Sequence, residues 1–82
     1  MGASIYYQVS GTYLDVGGGR SSFVDLLRRV LGGDYPWDIG GHRIHELRGA
    51  AAATENHDHR RALKELIEAI EKHGAVRVWA EF

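Results

Sequence analysis

Residues 4–16, SIYYQVSGTYLDV, decide how the fold is read, because two strands and a turn are legible within them. Ser10-Gly11 suits a two-residue hairpin turn, since glycine accepts the positive φ such turns need. That turn pairs Val9 with Thr12, Tyr7 with Leu14 and Ile5 with Val16, all on one largely apolar face. Tyr6, Gln8, Tyr13 and Asp15 fall on the other. Turn chemistry and alternation therefore agree on a hairpin.

Outward from the hairpin, Gly17-Gly18-Gly19 breaks the strand. Ser21 or Ser22 is placed to cap a helix, with Asp25 at capping-box spacing from Ser22. Phe23, Leu26, Leu27, Val30 and Leu31 form one apolar stripe, and Gly32-Gly33 ends it. Residues 42–48 are expected to be a strand returning the chain across the sheet, although Ile44 and Leu47 also suit one helix face and Ala50–Ala53 favour helix. From about Asn56 to His73 a second stripe (Ala62, Leu63, Leu66, Ile67, Ile70) predicts a long helix stopped by Gly74. AVRVWAEF, residues 75–82, alternates strictly. Val76, Val78, Ala80 and Phe82 face the core, while Arg77, Trp79 and Glu81 face away.

The expected fold class is α+β. Residues 1–82 form a single domain of order ββαβαβ, a two-layer sandwich of one mainly antiparallel sheet with two helices on one face. A chain of this length buries only roughly 60–65% of its unfolded surface, so its core is thin.

Composition narrows the chemistry. With no cysteine, thiolate nucleophiles, disulfides and cysteine-ligated zinc are excluded. No apolar run approaches the 18 or so residues of a membrane span, and no signal-peptide pattern opens the chain. A net charge of −1 exerts no general pull on nucleic acid or anionic lipid. The cationic pairs Arg28–Arg29 and Arg60–Arg61 are diluted by carboxylates, and the glycine-rich aromatic signature of RNA-binding sheets is missing. The expectation is a cytoplasmic protein that engages neither membrane nor nucleic acid.

Three chemistries compete with a plain binding role. VGGGRSS, residues 16–22, has the strand–loop–helix look of a phosphate cradle, yet it lacks the Walker lysine and the third glycine of a dinucleotide fingerprint. Asp34, Asp38, His42, His45 and Glu46 are loose acid–base candidates, with no nucleophile motif beside them. His42, His45, His57 and His59 are the alternative: a histidine-dependent metal protein or small metalloenzyme. Residues two apart share a side only in a strand, and residues three apart only in a helix. A strand at 42–48 thus separates His42 from His45, and a helix starting near 56 separates His57 from His59. The polar start of a surface helix is the simpler reading of ENHDHRR, residues 55–61, with both imidazoles exposed.

The outer sheet face carries the main expectation. Tyr6, Tyr13, Trp79 and Arg77 bring large aromatics and an arginine to one surface, the composition of protein-binding patches. The sequence is therefore read as a small non-catalytic protein-binding module without a cofactor. It acts as adaptor or inhibitor on a protein partner or a second copy of itself. Inhibitors of host complexes encoded by phages and mobile elements belong to the same general class.

Overall fold

A computed structural model describes residues 4–8, 12–14, 16 and 20–81. The fold is α+β. In chain order it comprises β1 (Ser4–Gln8), β2 (Thr12–Leu14), α1 (Arg20–Leu31), β3 (Trp37–Gly40), a 3₁₀ turn (Gly41–Arg43), α2 (Ile44–Ala53), α3 (His57–His73) and β4 (Ala75–Glu81). The strands form one antiparallel sheet of order β2-β1-β4-β3.

The core follows from periodicity. β4 alternates as expected, with Val76, Val78 and Ala80 buried and Arg77 and Glu81 exposed. Trp37 and Ile39 of β3 are buried on the same side, opposite Val78 and Val76. Against them pack Phe23, Val24 and Leu27 of α1, Leu47 and Ala51 of α2, and Leu63, Leu66 and Ile70 of α3, together with Leu14 and Val16. Phe82, expected to face the core, lies outside the described residues.

Helix ends are individually explained. The Asn56 side chain accepts hydrogen bonds from the backbone N–H of Asp58 (2.9 Å) and His59 (3.1 Å), satisfying two of the free donors at the start of α3. Gly74, at φ 87°, ends that helix with its N–H donating to Ile70 O at 2.7 Å. At the C-terminus of α1, Trp37 Nε1 donates to Gly32 O (3.0 Å) and Arg43 Nη2 to Leu31 O (3.1 Å). These two bonds fasten β3 and the 3₁₀ turn to orphan carbonyls of the first helix.

Four expectations are corrected. Residues 42–48 are not a strand: Gly41–Arg43 is a 3₁₀ turn and Ile44–Ala53 is helix, so the order is ββαβααβ with three helices. Ile44, Leu47 and Ala51 share one helix face and pack on the core, while Trp37–Gly40 supplies the strand the sheet needs. Helix α1 begins at Arg20, ahead of Ser21 and Ser22, so neither serine caps it from outside; Asp25 instead pairs with Arg28 at 2.9 Å. The hairpin register differs by two residues, Ile5 opposing Leu14 and Tyr7 opposing Thr12. Residues 8–11 lie between those last partners, and the expected turn at Ser10-Gly11 falls outside the described residues. Because the strand period is two, a shift of two residues keeps odd positions of β1 opposite even positions of β2, as expected. Finally, His59 is buried, at 7% exposure, where an exposed imidazole was expected.

Candidate functional site

The outward side of the sheet is assembled by register. Tyr6 stands opposite Tyr13 on β2 and opposite Trp79 on β4, so these three positions form one row across three strands. The next row places Gln8 opposite Arg77, and Arg77 opposite Asp38. The expected pairing set Tyr6 against Asp15; the observed one sets it against Tyr13. The four positions named from the sequence are thereby gathered on two adjacent rows.

At the β3–β4 end the side chains are defined. Arg77 Nε donates to Asp38 Oδ1 at 2.8 Å and Nη2 to Oδ2 at 3.3 Å, a bidentate pair across the strands. That hydrogen bonding holds the Asp38 carboxyl below the ordinary carboxylate range and strengthens the hold of Arg77 on its proton. Both groups are well exposed, so the pair contributes little to stability and serves to fix the guanidinium plane. Trp79 is half-buried, with Nε1 donating to Glu81 Oε2 at 3.3 Å. Its indole therefore presents apolar area while its N–H is satisfied.

Beside it, Tyr35, Pro36, Arg77, Trp79 and Ala80 line an open depression of about 500 Å³. Tyr35 is itself positioned by edge-on contact with Trp37 (ring centroids 6.0 Å apart) and lies 6.0 Å from the Arg28 guanidinium. Arg28 in turn holds Asp34 at 3.0 Å, which keeps the Asp34 carboxyl low. Tyr35 and Pro36 escaped the sequence reading because they occupy a turn, where alternation carries no information. The available signal was their adjacency to Trp37, whose burial fixes which strand edge they flank.

The strand expected to separate His42 from His45 is absent, so these two lie three residues apart in one turn-and-helix segment, while His57 and His59 sit at the start of α3. His42 is exposed in the 3₁₀ turn and His45 on α2; His57 is exposed at the start of α3. His59 packs edge-on against Phe23 (centroids 5.3 Å apart), with Nε2 3.4 Å from Ser22 Oγ. Positions 59, 63, 66 and 70 lie on one helix face, the signal by which its burial was readable. Glu46 is held low chiefly by its hydrogen bond to Arg43, with smaller attractions from His45 and His42. Among the described residues no three His, Asp or Glu side chains gather as a metal site. Of the glycine-rich segment, residues 17–19 lie outside the described residues. No helix is long and apolar enough to cross a membrane, among the residues described. Comparison with protein-family models, curated proteins and solved structures gives no match for this chain.

Proposed function

We propose that this chain is a small protein-binding module that works as an adaptor or inhibitor through the outward face of its sheet. The observation that carries the reading is the row Tyr13–Tyr6–Trp79, set in register across three strands beside the Arg77–Asp38 pair. Aromatic residues and arginine are the usual anchors of protein interfaces, and a rigid sheet presents them without loop-ordering cost. The depression at Tyr35, Pro36 and Trp79 offers a recess into which a partner side chain fits. A two-layer arrangement, with helices on one side only, is what leaves such a face available. The partner is a protein whose contact surface supplies an apolar group for this recess and polar groups for Arg77 and Asp38.

The experiment compares three baits in the proteome of the source cell: the native chain, Trp79→Ala and Gln8→Ala. A partner retained by the native chain and Gln8→Ala, and lost with Trp79→Ala, is the expected result. Equal recovery with all three, each folded by circular dichroism, refutes the assignment of this face.

A further inference from the structure

The helical side of the molecule carries a second surface with its own logic. Between α2 and α3 runs a groove of about 440 Å³ whose floor includes Ala51, Ala52 and Ile67. Its α2 bank consists of Arg48, whose guanidinium reaches across to Glu71 of α3 at 2.7 Å, and of the exposed Ala52, which projects only a methyl group. Beside Ala52, where nothing stands beyond a methyl group, another helix can approach closely.

The other bank is formed by Lys64, Glu68 and Glu71 of α3, which with the exposed Arg61 continue as one stripe along the helix. Its spacing is three, four, three, the interval of a helix–helix seam, and its charges run plus, plus, minus, minus. Such a stripe is complementary to itself when a second copy is laid antiparallel. A two-fold axis at the level of Leu66 sets Lys64 of each copy against Glu68 of the other, and Arg61 against Glu71. Both contacts are attractive, and each occurs twice by symmetry, four in all.

Within one chain these charges are only partly used. Arg61 bonds Asp58 at 3.1 Å and Glu71 bonds Arg48 at 2.7 Å. Lys64 and Glu68 hold no ion pair among the described residues. Their order along the helix, lysine before glutamate at i, i+4, is the weaker one for pairing with each other. Exposed ion pairs contribute little alone, so here they set register and orientation while the groove supplies the apolar area.

We propose that the α2–α3 face binds a second copy of this chain, α3 antiparallel to α3 about that two-fold axis. The proposal is independent of the sheet face, which the helices do not cover.

Sedimentation at low ionic strength, from micromolar protein to about 1 mM, reads the association directly. The native chain dimerises, less so as salt is added. Lys64→Glu sets like charges against Glu68 of the other copy, and Glu68→Lys does the same against Lys64, so each weakens dimerisation by at least about tenfold. An equimolar mixture of the two variants regains native-like association, because every contact across the axis is again opposite in sign. Ala52→Arg keeps helix propensity while filling the groove, and it too gives monomer. Any one of four results overturns the proposal. These are a native chain that stays monomeric throughout, single variants that dimerise like it, a mixture no better than its components, or a dimer that tolerates Ala52→Arg.

Discussion

Replacing Gly49 by alanine tests the element on which sequence and structure disagree most. Gly49 lies inside α2, is exposed, and is absent from the described glycines with positive φ. A Cβ built there meets nothing within 4 Å. The substitution therefore adds no clash, while it removes the conformational freedom glycine gives the unfolded chain. Glycine-to-alanine exchange inside a helix amounts to about 0.5–1 kcal/mol. For a domain of this size that raises the thermal midpoint by about 2–8 °C. Gly74→Ala must go the other way despite equally open space, because φ there is 87° and alanine is strained in that region. Thermal and denaturant unfolding by circular dichroism measures both. A Gly49→Ala midpoint unchanged or lowered would refute an unstrained, open helical site at residue 49, where alanine gains without a clash.

Other outcomes are equally definite. Leu66→Ala empties a fully buried site between α3 and the sheet and costs about 2–5 kcal/mol, a large part of the roughly 4–12 kcal/mol expected for a domain of this length, seen as a lower denaturant midpoint. Asn56→Ala strips two N–H groups of their acceptor and costs about 0.5–2 kcal/mol by the same measurement. On acidification, Asp38 stays ionised below the ordinary carboxylate range because Arg77 holds its pKa down. Its stabilising effect is thus complete above the unfolded-state pKa and disappears as pH falls through the lower folded-state value. Arg77→Ala should move the Asp38 carboxyl titration, followed by NMR, up toward the ordinary range; an unmoved midpoint would show that the ion pair does not form in solution.

Periodicity made the long elements legible. The stripe Leu63–Leu66–Ile70 and the alternation of Val76 and Val78 are both visible in sequence and both match the burial observed. The parity of the hairpin pairing was equally readable, because it survives a two-residue shift, but register was not: it depends on the connection between the strands. Residues 42–48 misled for a different reason. Sheet completion argued for a strand there, yet Trp37–Gly40 had already met that need in four residues, too few for alternation to show. With that strand in place, Ile44 and Leu47 were free to follow their helical spacing. For the site, Trp79 and Arg77 came from strand parity alone. Their partners Asp38, Tyr35 and Pro36 depended on which strand lies beside β4, and strand order is a tertiary outcome that local pattern does not encode.

The central claim is that the row through Trp79 is a recognition surface. Its most direct test is the affinity of the isolated partner for the native chain and for Trp79→Ala, by calorimetry, with circular dichroism confirming the fold. Loss of a central aromatic anchor costs about 2 kcal/mol or more, roughly a thirtyfold weakening, whereas Gln8→Ala at the rim changes little. Trp79→Ala that stays folded and binds with native affinity would contradict the claim and leave this face an ordinary solvated sheet.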